Sequence, residues 1–168
     1  EKIRGKVFFT GDLQKDMFVK SFDENIKVND NNIFVTIHRS ENTDCKQRLK
    51  NILTFINNLA KEFSIVFPIH PRTMKSINLF GYHDLLDGIN FFEPTSYNET
   101  MKHIAKSKFV ITDSGGLQKE TYFSKRLCLT LREVSEWTET KDDNLTCDTK
   151  NIDSTLKHIT DTFISSES

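Results

Sequence analysis

The chain has 168 residues, a formal net charge of −1, 36% hydrophobic and 28% charged residues, a balance that suits one globular domain with its own core. That charge gives no broad pull toward nucleic acid or an anionic membrane, so any anion site must be local. No apolar run approaches the ~20 residues of a membrane span, and no basic-then-apolar leader opens the chain, so a cytoplasmic protein is expected. Cys45, Cys128 and Cys147 are three in number and widely spaced. With no Cys-x-x-Cys pair, reduced structural thiols are expected, and neither a metal nor a cofactor. The first residue is Glu1 rather than Met, which suggests a processed chain or an excised piece of a longer one.

Val7-Phe8-Phe9 reads as a short strand ending at Gly11-Asp12, and residues 13–22 as a helix. Residues 23–32 are turn-like, a loop before the β-branched run Ile33-Phe34-Val35-Thr36-Ile37. Thr43 or Asp44 can cap the next helix, whose apolar residues Leu49, Ile52, Leu53, Ile56, Leu59, Ala60 and Phe63 recur at helical spacing. Residues 64–69 form the next strand, and Pro71 suits the first position of a helix to about Phe80. Strands over 89–92, 108–112 and 127–131 alternate with helices over 97–106 and 116–123. Residues 135–150 are polar and ambiguous, and 152–164 reads as a last helix. This strand–helix alternation specifies an α/β fold, a doubly wound Rossmann-like parallel sheet, in a single domain over 1–168.

In such sheets ligands sit at the carboxyl ends of the strands. After Ile37 comes His38-Arg39-Ser40-Glu41; after Ile69, His70-Pro71-Arg72; after Thr112, Asp113-Ser114-Gly115-Gly116; after Leu131, Arg132-Glu133. Parallel strands would bring these clusters to one rim. A strand ending in Ser-Gly-Gly and turning into a helix offers backbone N–H groups and the positive end of the helix dipole to an anion. Gly115 and Gly116 let a phosphate approach the backbone closely. Glu120 lies one turn beyond Gly116, about 6 Å along the helix, where a ribose attached to that phosphate would hang. Lys119 is expected to face away. The plainer alternatives are a tight turn with a solvated Gln-Lys-Glu face, solvated loops at His38-Arg39 and His70-Pro71-Arg72, and a surface ion pair of Arg132 with Glu133, Glu136 or Glu139. His83, His103 and His158 read as surface or structural residues. Trp137 reads as packed on a sheet edge, with stacking on a base as the alternative.

The motifs resemble the carboxyl-terminal domain of the non-hydrolysing UDP-N-acetylglucosamine 2-epimerases. The resemblance runs from Gly11 to about Glu139. It is carried by Gly11-Asp12 with Asp16, by Thr36-Ile37-His38-Arg39-Ser40-Glu41-Asn42-Thr43-Asp44, and by Ile69-His70-Pro71. Pro94 with Tyr97, Thr112-Asp113-Ser114-Gly115-Gly116-Leu117-Gln118-Lys119-Glu120, and Leu131-Arg132-Glu133 leading to Glu136-Trp137 complete it. The last string is similar to the subgroup acting on modified UDP-amino sugars. The resemblance implies one half of a GT-B-type two-domain enzyme, an isomerase that inverts C2 of a UDP-amino sugar by eliminating UDP and adding it back.

By the same resemblance His38, Arg39, Ser114, Gly115, Gly116 and Arg132 hold the diphosphate, Glu120 the ribose, and Thr100 stands near the uracil. His70 and Arg72 match a cleft or activator site. The acid and base carboxylates are expected in an amino-terminal domain absent from this chain, and a homodimer is implied for full-length members. The partners implied are UDP and a UDP-amino sugar. The sequence departs from the family where Ser124-Lys125-Arg126-Leu127 replaces the usual Gly and Pro, and where Asp142-Asp143-Asn144-Leu145-Thr146 replaces a Gly-rich segment. A non-catalytic UDP-sugar-binding or regulatory module, and a GT-B glycosyltransferase donor domain, are the alternatives.

Overall fold

A computed structural model describes residues 5, 6, 8, 10–132 and the backbone of 144–147. The expected strand at Val7-Phe8-Phe9, the helix over 152–164, and Glu133, Glu136, Trp137, Glu139 and His158 lie wholly or partly outside the described residues. The elements run α1 (Leu13–Ser21), β1 (Asn29–Thr36), α2 (Ser40–Thr43), α3 (Lys46–Leu59), β2 (Ser64–Pro68), α4 (Pro71–Phe80), β3 (Asn90–Phe92), α5 (Tyr97–Lys106), β4 (Ser107–Thr112), α6 (Gly115–Phe123), β5 (Leu127–Leu131) and β6 (Asn144–Cys147). A 3-10 turn, His83–Leu86, precedes β3.

The six strands lie in the order β3-β2-β1-β4-β5-β6, and every neighbouring pair is parallel. The chain builds outward from β1 in one direction, then returns to lay β4 on its other side. The order therefore reverses between β1 and β4, and the crevice that doubly wound sheets use for ligands opens at their carboxyl ends. The last register pair there is Thr36 with Thr112, whose hydroxyls hydrogen-bond at 2.7 Å.

Alternate residues of each strand enter opposite cores, the consequence of a two-residue period. Ile33 and Val35 pack with Leu49, Ile52, Leu53 and Ile56 of α3 and Ile77 of α4. Phe34 faces the other way, toward Phe18 of α1, Met101 and Ile104 of α5 and Leu117 of α6. Both faces are covered, so the strands show no polar alternation. His103 stacks on Phe34 with ring centroids 5.6 Å apart and planes 5° apart, which makes it structural.

Two local expectations are corrected, one ambiguous stretch is resolved, and one departure from the family pattern takes an unusual backbone conformation. Asn29–Asn32 belongs to β1 rather than to a loop, because Asn29 and Asn32 pair with Ser107 and Ser64 on the flanking strands. Ser40–Thr43 is itself a helical turn, and α3 starts after Cys45 without a side-chain cap, so neither Thr43 nor Asp44 caps it. The Thr43 hydroxyl instead donates to the Arg39 carbonyl. The ambiguous polar stretch contributes β6, paired with β5. In Ser124-Lys125-Arg126-Leu127, the stretch that departs from the family pattern, Lys125 takes φ of 55° just after α6. That conformation costs a residue with a Cβ about 1–2 kcal/mol.

Lys125→Gly should therefore raise unfolding stability by about 0.5–1 kcal/mol. This is the relief of left-handed strain less the entropy that Gly adds to the unfolded chain. Urea denaturation measures it, with the midpoint moving up and the slope unchanged.

Candidate functional site

Immediately after the Thr36–Thr112 pair, β1 and β4 lead into two loops held together by one carboxylate. Asp113 is fully buried. It accepts the His38 N–H at 3.1 and 3.0 Å, the Arg39 N–H at 2.9 Å and the Asn42 side-chain amide at 3.0 Å. The His38 ring completes the set, with Nδ1 3.0 Å from Asp113 Oδ1. Burial by itself would push the Asp113 carboxyl up, but the donors from His38, Asn42 and Arg39 outweigh it and hold the group below the usual carboxylate range. Asn42 also donates to the Leu131 carbonyl at 3.1 Å, which ties the end of β5 to the same knot. The Thr73 hydroxyl donates to the Ile37 carbonyl and brings α4 in from the other side.

The second component is the start of α6. Ser114 is its N-cap: the side-chain oxygen accepts the Leu117 N–H at 3.3 Å and the carbonyl accepts the Gln118 N–H at 2.9 Å. The Thr112 hydroxyl accepts the Ser114 N–H at 3.0 Å and fixes the turn between strand and helix. Across from it, the Gln14 amide of α1 donates to the Gly116 carbonyl at 2.8 Å. A Cβ at Gly116 would stand 3.3 Å from the Gln14 nitrogen, so a branched side chain has no room without displacing Gln14.

Glu120, 6% exposed, sits one turn on. Burial raises its carboxyl, opposed by the neighbouring polar side chains of Gln14 and Tyr97. The Tyr97 hydroxyl is raised in turn, by burial first and then by the Glu120 charge. Lys119 corrects an expectation. It is only 16% exposed, pairs with Asp12 and lies over the Phe123 ring, so it anchors α6 to α1 rather than facing away.

The remaining residues divide. His70 caps α4, its Nδ1 accepting the Arg72 N–H at 3.2 Å, and its ring lies 5.7 Å from that of His38. His38, His70, Thr36, Thr95 and Thr100 line one cleft, and the Thr100 and Thr95 hydroxyls hydrogen-bond at 3.1 Å. The Arg72 guanidinium turns outward to Asp44 at 3.2 Å, in an exposed ion pair, so it does not join the rim. Arg132 is buried at the end of β5, and the Glu133, Glu136 and Glu139 partners of the ion-pair alternative lie outside the described residues. Four residues in this architecture carried no assigned role in the sequence reading: Asp113, Asn42, Gln14 and Tyr97. Three stand inside the motif strings, but their use depends on partners such as Leu131 and Glu120 that only the fold supplies; Gln14 reaches Gly116 from 102 positions away. Among the described residues no group of three or more His, Cys, Asp or Glu side chains is arranged to hold a metal ion.

A family model described as UDP-N-acetylglucosamine 2-epimerase matches residues 2–164. The chain belongs to that family. A UDP-N-acetylglucosamine 2-epimerase of Methanococcus maripaludis is 40% identical over 136 residues, covering 78% of this chain and 37% of that protein. A UDP-2,3-diacetamido-2,3-dideoxy-D-glucuronate 2-epimerase of Pseudomonas aeruginosa is 34% identical over 145 residues, covering 83% and 40%. The crystal structure of Methanocaldococcus jannaschii UDP-GlcNAc 2-epimerase in complex with UDP-GlcNAc and UDP superimposes with a TM-score of 0.71 at 31% identity, covering 89% of this chain and 41% of that one. The chain thus spans less than half the length of these epimerases and corresponds to one Rossmann-like half of the GT-B arrangement. Membership in an epimerase family disfavours the glycosyltransferase donor-domain alternative.

Asp113→Asn leaves at least one buried N–H of the knot without its acceptor and should cost about 1–3 kcal/mol of stability at neutral pH. The folded carboxyl lies below its unfolded value of 3.8. Its contribution is therefore fully present above that value and is lost as pH falls through the folded one. Thermal melts from pH 7 downward should show the gap between wild type and variant widest above pH 3.8 and closing below it.

Proposed function

We propose that this chain is the nucleotide-binding half of a UDP-amino-sugar 2-epimerase. The observation that carries the reading is the Asp113 knot, which draws the His38-Arg39 loop against the start of α6 at the switch point of the sheet. The diphosphate lies over Ser114, Gly115 and Gly116, with His38, Arg39 and Arg132 supplying positive charge. The ribose hydroxyls meet Glu120, and the uracil lies toward Thr100.

The chemistry is elimination of UDP from C1 of the sugar, followed by its return after the other face is presented. As the C1–O bond breaks, charge grows on the departing diphosphate. Donors already aimed at that oxygen cluster lower the barrier without reorganising. The carboxylates that move the C2 proton are assigned to the other half of the enzyme. The Pseudomonas relative supports an amino sugar with further modification as one substrate class, and UDP-N-acetylglucosamine is the other. A homodimer of the complete enzyme and a cytoplasmic location complete the reading, in keeping with Cys45 exposed and Cys128 buried as free thiols.

UDP binds only the folded rim, so it should raise the melting temperature, with protection growing as RT ln(1 + [L]/Kd). A Kd of ~0.1–1 mM corresponds to roughly −4 to −5.5 kcal/mol and gives about 1–2 kcal/mol of protection at 5 mM UDP. Absence of any shift at that concentration sinks the nucleotide reading.

Calorimetry on two substitutions tests the ends of the site. Gly116→Val should abolish UDP binding, since its side chain enters the phosphate position and displaces Gln14. Glu120→Ala should weaken UDP by roughly ten- to a hundredfold, the worth of a charged hydrogen bond, and should weaken a dideoxyribose analogue far less. Lys50→Ala, on the exposed side of α3, serves as the control. Equal losses for all three would remove α6 from the nucleotide site.

A further inference from the structure

We infer that Asp113 is a positioning residue that fixes His38 as the Nδ1–H tautomer with Nε2 toward the ligand, so that binding a sugar-nucleotide diphosphate places a second proton on His38. The inference rests on the rim being a diphosphate site. An ionised carboxylate can only accept hydrogen bonds, and Asp113 is surrounded by donors: two backbone N–H groups, the Asn42 amide and the imidazole. The 3.0 Å contact therefore puts the ring proton on Nδ1.

A neutral imidazole has one N–H, so Nε2 is then a bare lone pair. With Asp113 buried and 40% of the His38 side chain exposed, Nε2, the nitrogen not held by Asp113, is the one left to meet a ligand. A lone pair facing phosphate oxygens is repulsive. A proton taken from solvent turns Nε2 into a charge-assisted donor while Nδ1 keeps its bond to Asp113; no bond of the ligand changes.

The other charged and titratable groups around the ring leave this intact. His70, from α4, uses Nδ1 as the acceptor for the Arg72 N–H and so is held in the opposite tautomer. Arg72 is engaged by Asp44. Arg39 on the same loop and Arg132 at the end of β5 hold permanent charge, and Glu41 of α2 is exposed.

The test uses calorimetry of the full chain in buffers of different ionisation enthalpy. UDP-N-acetylglucosamine is the probe, because its diphosphate is esterified at both ends. UDP has a terminal phosphate that itself titrates near pH ~6. Wild type should take up protons as it binds the ligand, and Kd should rise with pH, by at most ~tenfold per pH unit. His70→Gln should retain the uptake. In Asp113→Asn the amide can donate to Nδ1, the ring then carries its proton on Nε2, and uptake should disappear. A purely structural Asp113 would instead lose affinity with the uptake unchanged. Should that variant not fold, the ¹⁵N imidazole spectrum of ligand-free wild type decides: His38 protonated on Nδ1 is expected, and protonation on Nε2 alone overturns the proposal. Binding without proton uptake in wild type overturns it as well. Failure to bind at any pH, with the Nδ1–H tautomer present, overturns the nucleotide reading and the uptake together.

Discussion

One buried carboxylate organises the ligand-facing end of this molecule. Asp113 is the first residue after β4, and its acceptor positions are filled by the loop after β1 and by α2. An ionised group so deep is expensive to desolvate and persists only where donors surround it. The cost is therefore also a constraint: His38, Arg39 and Asn42 must sit where they do, or the charge is left unpaired. Through Asn42 the same constraint reaches the Leu131 carbonyl and the end of β5. The rim is drawn together around a charge that finds its partners only there.

A second buried carboxylate meets the opposite fate. Glu120 has Gln14 and Tyr97 beside it, two neutral partners against Asp113's full cage, and burial dominates, so its carboxyl is raised. The two acids lie at opposite ends of the proposed nucleotide. One is locked ionised to shape the phosphate end. The other keeps a raised carboxyl with few donors around it, which leaves it able to accept the hydroxyls that a ribose supplies in the proposed complex. The contrast comes from the number and kind of donors around each group rather than from depth alone.

Departures from the family pattern are absorbed locally. Lys125 adopts a left-handed conformation, and Arg126 beside it donates to the Ala105 carbonyl at 3.1 Å, tying the turn to the end of α5. Lys119 shows a related economy: its pairing with Asp12, the N-cap of α1, joins the two helices whose residues Gln14 and Gly116 frame the proposed phosphate position.

The sequence by itself determined the strand–helix alternation, the parallel sheet and the rim clusters, because these depend on local apolar periodicity and on residues adjacent to strand ends. Ser96, Tyr97 and Glu99 write the start of α5 directly into the chain as a reciprocal capping box, and Pro71 does the same for α4. The run Ile33 to Ile37 announced β1, but its four leading residues, Asn29 to Asn32, are polar and extended only because β2 and β4 pair with them; β6 is hidden for the same reason. The tertiary structure alone decided which side chains serve which partners. Asp113 reads as one more polar residue before a Ser-Gly-Gly turn until β1 and β4 lie side by side. Arg72 reads as a rim cation until Asp44 captures it, and Lys119 as solvated until α1 packs on α6. Local pattern fixes the elements through backbone geometry and burial, whereas electrostatic roles depend on distances between residues far apart in the chain, which exist only once it is folded.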